Sequence, residues 1–178
     1  ELVRELADVT KVQLKREDLE KIVDQPMALE VVKGFFVRIG LGQNQGKPVY
    51  RMARIMEVKH GTKFYDLPPS IANISATTSA RKTDLILILG YPGARNKESR
   101  LDSISNHVIE QNERDKYLLD LKEKSKLMRS TGNGAQEEIE EKYLPALKEM
   151  SGMQQSLSAT MAHTLTAEEL KDLVQRKK

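Results

Sequence analysis

The chain has 178 residues, a formal net charge of +3 and 39% hydrophobic residues, which suffices for one domain with a modest core. It has no Cys and no Trp, and aromatic residues make up only 4%. Disulfides, thiolate metal sites and cysteine nucleophiles are therefore excluded, and a broad platform for stacking bases is disfavoured. No apolar run approaches the roughly 20 residues of a membrane span, so no membrane contact is expected. The opening on Glu1 indicates an excised fragment without a signal peptide.

The charges are distributed unevenly along the chain. Residues 33–100 contain twelve Lys and Arg against four Asp and Glu, a local balance of +8, whereas the rest of the chain has a balance of −5. A cationic middle between acidic, helix-prone ends favours an anionic partner for the middle. The alternative interpretation is that these cations are the solvated faces of strands.

Hydrophobic periodicity predicts that residues 1–32 are helical. Leu19, Ile22 and Val23 form one apolar face of a helix over 15–23, and Pro26 either ends or restarts it. The N-terminal part is therefore expected to pack as short helices.

The pattern changes to strand-like alternation over residues 33–105. Runs of aromatic and β-branched residues predict four short strands, at 34–41, 48–58, 63–67 and 84–89. They are separated by a polar turn at 42–47, a tight turn at 60–62 and loops at 68–82 and 90–97. Short strands joined by tight turns are typical of a small, partly open β-barrel.

Helical patterns return over residues 106–178, with a break at 131–134. The predicted helices are one capped by Ser105 or Asn106 that runs to about Met128, one from about Ala135 with a kink at Pro145, and one opened by a capping box of Thr166 and Glu169. The predicted fold class is α+β, with residues 1–178 forming a single domain.

The sequence contains no arrangement typical of catalysis. The three histidines are scattered and have no metal-ligand spacing, and the acidic pairs within 136–141 lie on a predicted solvated helix instead of a shielded cleft. The turn at 42–47 is not a phosphate loop, because Pro48 cannot supply the hydroxyl that binds magnesium there. We therefore predict no enzyme, no cofactor and no metal.

Basic residues at element boundaries form the candidate site. Arg16, Arg38 and Arg51, with Lys97 or Arg100, lie in predicted strands or at element ends and outside runs of charge. Guanidinium forks bind phosphate bidentately, and two or three that converge make a phosphate cradle. Because Arg38 alternates with two apolar neighbours, its side chain is expected at the barrel surface. The alternative is that these residues are separate surface charges.

The same residues carry a resemblance to a known family, the Plus-3 domain, whose name refers to three recurrent basic positions. Those positions match Arg16, Arg38 and Arg51 here. The resemblance implies a barrel of Tudor-like strands packed against flanking helices, in keeping with the division into 1–32, 33–105 and 106–178. It covers roughly residues 10–178 and is carried by the segments 12–20, 34–40, 47–51, 63–67, 100–106 and 164–170.

The resemblance also implies a site for a phosphorylated peptide. Arg16 and Arg38 match positions that hold the phosphate, and Lys97, or alternatively Arg95, matches a third basic contact. Ser103 stands where the family has an aromatic residue that packs against the peptide, so this chain lacks that apolar contact. The full predicted binding set is Arg16, Arg38, Arg51, Lys97, Arg100, Tyr50, Tyr65 and Ser103.

Members of the family bind threonine-phosphorylated repeats in the tail of the Spt-type elongation factor, which brings the polymerase-associated-factor complex to transcribing RNA polymerase II. The resemblance thus predicts a nuclear, monomeric phosphothreonine-peptide module that also works beside other elongation-complex subunits. Arg16 and Arg38 would neutralise the phosphate, Lys97 would assist, and Tyr50 or Tyr65 would contact flanking side chains. The alternatives are a sequence-nonspecific single-stranded DNA binder, an activity also associated with the family, and an adaptor whose acidic helices dock a protein.

Overall fold

The computed structural model describes residues 1–67, 81–130 and 136–177, and they confirm the α+β class. The predicted break at 131–134 and residues 68–80 of the predicted loop lie outside the described residues. The strands are β1 (Phe36–Asn44), β2 (Lys47–Leu67), β3 (Arg81–Gly90) and β4 (Lys97–Arg100). The helices are α1 (Leu6–Lys11), α2 (Arg16–Ile22), α3 (Ala28–Val31), α4 (Gln111–Ser130), α5 (Gln136–Tyr143), α6 (Met150–Ala162) and α7 (Ala167–Arg176).

The four strands form one antiparallel sheet in the order β1-β2-β3-β4. An isolated bridge between Ile39 of β1 and Ile104, just after β4, brings the far end of the sheet back toward its first strand. The sheet is open, because this bridge is the one pairing between those two ends in the described part of the chain.

The long second strand contradicts the prediction of a tight turn at 60–62. Residues 47–67 form a single strand, and the register against β3 shifts between His60 and Tyr65. Gly61 lies at a close approach of the two strands, since a Cβ at this position would lie 3.0 Å from Ile86 Cγ1 and 3.1 Å from the Asp84 carbonyl oxygen. Sequence reasoning interpreted a glycine at a close contact between strands as a turn residue.

The fourth strand was not predicted and begins at Lys97, the last residue of the predicted loop at 90–97. Lys97–Arg100 pairs with Leu89 through Ile86 of β3, and Ser99 is the one buried side chain of the strand. A short, charged edge strand has no apolar alternation that could identify it from sequence, because its outer side faces solvent.

The predicted turn at 42–47 is a two-residue hairpin turn. Asn44 pairs with Lys47, and the intervening Gln45 and Gly46 have φ of 54° and 79°. Positive φ at both central residues is the turn geometry whose twist matches that of the flanking strands. Gly46 is therefore required by backbone conformation.

The helix predicted to be capped by Ser105 or Asn106 begins later than expected. Its structural counterpart α4 starts at Gln111, because Ser105 and Asn106 are used elsewhere. Asn106 Oδ1 accepts a hydrogen bond of 2.8 Å from the backbone N–H of Glu17, so it caps α2 instead of α4.

The C-terminal helices partly follow the prediction. α5 ends at Tyr143, before Pro145, so the predicted kinked helix is wrong and the proline lies in a connection between helices. The predicted capping box of α7 is confirmed on its N-cap side, where the Glu169 backbone N–H donates to Thr166 Oγ1 at 3.2 Å. No described helix is long and apolar enough to cross a membrane.

The hydrophobic core lies between the sheet and the helices that precede and follow it in the sequence. Tyr117 of α4 is fully buried and makes edge-to-face contacts with Phe36, Tyr91 and Tyr143, at centroid distances of 5.8, 5.6 and 6.5 Å. This ring cluster covers the face of β1 that carries Phe36. Arg38 lies two residues farther along the same strand, so its side chain is on that covered face.

Candidate functional site

Arg38 is the most tightly held cation of the predicted site. Its Nε donates to both carboxylate oxygens of Glu113, at 2.9 and 3.0 Å, and its Nη2 donates to Glu113 Oε2 at 2.9 Å. Its Nη1 donates to Ser105 Oγ at 3.2 Å, and the guanidinium carbon lies 3.8 Å from the centre of the Tyr50 ring. The plane of the side chain is therefore fixed on three sides.

The ion pair between Arg38 and Glu113 is buried. Arg38 and Glu113 are each 7% exposed. Burial would lower the pKa of Arg38, but the hydrogen bonds and the charge of Glu113 outweigh it and hold the pKa above its ordinary value. The expectation that Arg38 points to the barrel surface is wrong, because α4 packs over its face of β1 and brings Glu113 to it.

Ser105 joins the two arginines that were predicted to bind phosphate. Its carbonyl accepts the backbone N–H of Arg16 at 3.2 Å, and its own N–H donates to the carbonyl of Arg38 at 2.8 Å. Its hydroxyl also accepts from the Arg38 side chain. One residue thus ties the start of α2 to the middle of β1, so the backbones of Arg16 and Arg38 are joined at this junction.

The Arg16 side chain is more loosely held than that of Arg38. It is 32% exposed, and its Nε lies 3.5 Å from Glu20 Oε1 one helical turn away. Glu20 is itself buried. Arg16 therefore keeps a partly solvated guanidinium, whereas that of Arg38 is buried and fixed.

Arg51 takes part in a different contact. Its guanidinium carbon lies 4.1 Å from the centre of the Tyr91 ring, and the Tyr91 hydroxyl donates to Asp120 of α4. Burial first, and then Asp120, raise the pKa of Tyr91. This network joins β2 to α4, and none of its hydrogen bonds or ring contacts reaches Arg16 or Arg38 in the described part of the chain.

Tyr65 and Arg100 form a third group. Arg100 lies over the Tyr65 ring at 4.2 Å and pairs with Asp102 at 3.0 Å. Tyr65 is 9% exposed; its hydroxyl donates to the Leu85 carbonyl at 2.5 Å and accepts the Leu101 N–H at 3.0 Å. Tyr65 is therefore a buried support for the chain after β4, and Tyr50 is the more accessible of the two tyrosines.

The remaining predicted residues are exposed. Lys97 begins β4 and Arg95 precedes it, and neither side chain makes an ion pair or hydrogen bond with the described residues. Ser103 is exposed in a 3-10 turn, Leu101–Ser103, that packs against α2 and lies two residues before Ser105. Ser103 is thus near the junction of Arg16 and Arg38, whereas no hydrogen bond or ion pair within the described residues links the Lys97 side chain to it.

Sequence reasoning missed Glu113 and Ser105, which hold Arg38 in place. Glu113 lies in the first turn of α4, where its Oε1 also accepts the Glu110 backbone N–H at 3.2 Å. A glutamate in the first turn is a recognisable helix-start signal. It was obscured because the helix was expected to begin several residues earlier.

Arg54 was also missed, and its role is architectural. Its Nε donates to the Gly34 carbonyl at 2.9 Å, and its Nη1 donates to the carbonyls of Glu141 and Lys142 at 3.0 Å each. The last two belong to the final turn of α5, where carbonyls lack helical partners. Burial lowers the pKa of Arg54. Its guanidinium therefore fastens α5 to the sheet.

The described residues contain no group of three or more His, Asp or Glu side chains placed to hold a metal ion. Two histidines pair with single carboxylates: His60 Nδ1 lies 3.0 Å from Asp84 Oδ1, and His163 Nε2 lies 3.0 Å from Glu169 Oε2.

Comparison with known proteins places the arginine junction in a recognised segment. The family model described as the Plus-3 domain matches residues 8–122, which include all four strands and the start of α4. The RNA polymerase-associated protein RTF1 homolog of Caenorhabditis elegans is 30% identical over 115 residues. That match covers 64% of this chain and 17% of the relative, so the chain spans about a sixth of the relative's length.

Proposed function

This chain belongs to the Plus-3 domain family, and on that premise we propose that it is a phosphothreonine-peptide-binding module without enzymatic activity. Its ligand would be the phosphorylated repeat tail of an Spt-type elongation factor. Binding would bring a polymerase-associated-factor complex, with its other subunits, to RNA polymerase II in the nucleus. The curled open sheet with its Ile39–Ile104 bridge would correspond to the Tudor-like barrel of the family.

The observation that supports this function best is the junction at Ser105. Through its carbonyl, its N–H and its hydroxyl, Ser105 binds both Arg16 and Arg38. Two arginines bonded to one residue could both direct a guanidinium to the same phosphate, and a dianion needs more than one charged donor.

The two arginines differ in how they would contribute. Arg38 is already oriented by Glu113, Ser105 and Tyr50, so it would lose little side-chain entropy when a ligand arrives. Arg16 is partly solvated and would adjust to the ligand. A fixed donor beside an adjustable one suits recognition of a phosphate on a flexible peptide.

The flanking residues of the peptide would lie along Tyr50 and the exposed turn that contains Ser103. Tyr50 is half-buried beneath Arg38, and Ser103 lies two residues before Ser105. With serine in place of an aromatic side chain, the apolar contact to the peptide is small, so the phosphate would provide most of the affinity. Lys97 would contribute only long-range electrostatic attraction for the phosphorylated peptide.

Single-stranded DNA is the second candidate ligand, favoured by a groove elsewhere on the sheet. The groove between β2 and β4 is lined by Lys59, Lys63 and Phe64 among others, and Phe64 is 36% exposed. Proteins that bind single-stranded DNA use cations to contact its phosphate backbone and exposed aromatic rings to stack on its bases. Lys59 already pairs with Glu98, which reduces the free charge of this groove.

Titrations with three ligands test the proposal. The chain is titrated with a phosphothreonine repeat peptide, its unphosphorylated form and single-stranded DNA, each at two salt concentrations. Arg16→Lys keeps the charge but loses the planar fork, so phosphopeptide affinity should fall by roughly 1 kcal/mol or more while DNA affinity is nearly unchanged. Arg16→Gln is the control that weakens both ligands. Equal affinity for both peptides would refute the phosphothreonine function, and dependence on DNA length would favour the second candidate.

A further inference from the structure

The free edge of the Arg38 guanidinium can be identified by counting its donors. Of its five N–H groups, Glu113 accepts the one on Nε and one on Nη2, and Ser105 accepts one on Nη1. One N–H on each Nη nitrogen is left without a hydrogen bond to the described residues. These two N–H groups make up the free edge of Arg38, and they are the donors available to a phosphate.

A second carboxylate lies beside this free edge. Glu110 Oε1 is 3.9 Å from Arg38 Nη2, a distance that gives charge attraction without a hydrogen bond. The side chain of Glu110 is 62% exposed, whereas that of Glu113 is 5% exposed. The two acids therefore hold Arg38 very differently.

The backbone of Glu110 is fixed although its side chain is not. Its carbonyl accepts the N–H groups of Glu113 and Arg114, at 3.1 and 3.0 Å, and its N–H donates to Glu113 Oε1. The carboxylate can therefore rotate away from Arg38 without disturbing the start of α4. Glu113 cannot move in this way, because its carboxylate is buried and makes three hydrogen bonds to Arg38.

We propose that Glu110 is an intramolecular competitor for the phosphate: in the free protein its carboxylate neutralises the free edge of Arg38, and it must swing out when a phosphothreonine binds. This inference rests on the proposed function. It adds a residue that sets affinity and was absent from the predicted binding set. A solvated carboxylate near the incoming dianion weakens binding by competition and by repulsion, and both effects are modest because water screens them.

The test compares Glu110→Gln with Glu123→Gln, measured by calorimetric titration with the phosphothreonine repeat peptide and its unphosphorylated form. Glu123 is exposed on α4, so its substitution changes the net charge equally and provides the matched control. Glu110→Gln should tighten phosphopeptide binding about twofold to fivefold at low salt, with a smaller gain at high salt. Glu123→Gln should leave the affinity close to that of the unmodified chain.

Each outcome has one meaning. A gain confined to Glu110→Gln and to the phosphorylated peptide supports the competitor role. Equal gains in the two variants, no gain in either, or an equal gain for the unphosphorylated peptide would overturn it while leaving the phosphothreonine function standing. If neither the unmodified chain nor Glu110→Gln distinguishes the phosphorylated peptide, the proposed function fails and the inference fails with it. Phosphopeptide binding that appears only in Glu110→Gln would support the inference most strongly.

Discussion

Arg38 of β1 and Glu113 of α4 form a buried bidentate ion pair that joins the sheet to the C-terminal helices. Three hydrogen bonds of 2.9 to 3.0 Å link the two side chains. Phe36, on the same face of β1, packs against Tyr117 one helical turn beyond Glu113. The ion pair is thus the polar end of a mostly apolar contact, and Arg38 has a structural role in addition to the binding role proposed for it.

We expect Arg38→Ala to destabilise the fold. Removing one member of a buried pair leaves Glu113 charged and uncompensated, which costs about 3–5 kcal/mol of unfolding free energy. Urea unfolding followed by circular dichroism measures this cost. The double variant Arg38→Met with Glu113→Leu should recover most of the loss, because no buried charge remains. A shift within about 0.5 kcal/mol for Arg38→Ala, as for an ordinary surface substitution, would contradict the structural role.

Tyr65→Phe should destabilise the protein through its hydroxyl alone. The substitution leaves the Leu85 carbonyl and the Leu101 N–H without this partner in a buried position, at a cost of about 1–3 kcal/mol. The change in thermal midpoint provides the measurement. Tyr50→Phe is the matched control, because the Tyr50 hydroxyl makes no hydrogen bond with the described residues. Similar effects of the two substitutions would show that the Tyr65 hydroxyl is not a specific support.

The first hairpin turn should respond to substitution at its left-handed residues. Gly46→Ala places a side chain at a φ of 79° and should reduce stability by about 1–2 kcal/mol. Gln45→Asn should increase it slightly, because asparagine followed by glycine suits this turn. Gly152→Ala in α6 is the contrasting control: no atom lies within 4 Å of its Cβ position, so stability should rise by roughly 0.5–1 kcal/mol. Denaturant midpoints compare all three variants.

The contact between α7 and His163 should weaken in acid. The hydrogen bond from His163 is the main cause that lowers the pKa of Glu169 below its ordinary value of 4.5. A depressed folded pKa means that this stabilisation is complete above pH 4.5 and is lost as the pH falls through the lowered value. Carboxyl NMR titration of Glu169 should show a midpoint below 4.5 that moves up in His163→Ala. An unchanged midpoint in that variant would exclude His163 as the cause.

Local patterns in the sequence were sufficient for several elements. The apolar spacing of Leu19, Ile22 and Val23 identified α2, the β-branched runs identified β1 and β3, and the pair of Thr166 and Glu169 identified the start of α7. These signals lie within a few residues of each other, so they do not depend on the rest of the fold. The basic positions that carry the family resemblance are likewise a property of the sequence itself.

Features that depend on distant segments could not be predicted in this way. Gly61 looked like a turn residue because the approach of Ile86 and Asp84 is invisible in its local sequence. Asn106 looked like the cap of the helix that follows it, yet it caps α2, eighty-nine positions away along the chain. β4 has too few apolar residues to show strand-like alternation, and it forms by pairing with the edge of β3.

The same distinction between local sequence and tertiary contacts applies to the candidate site. The sequence by itself shows arginines at positions 16, 38 and 51, and residue type alone identifies them as possible hydrogen-bond donors to a phosphate. Only the tertiary structure decided which of them share a partner, because Ser105 bonds to Arg16 and Arg38, whereas Arg51 contacts Tyr91. It also decided which N–H groups of Arg38 stay free. That depends on where α4 packs Glu113 against β1, and burial of this kind is set by contacts between segments seventy-five residues apart.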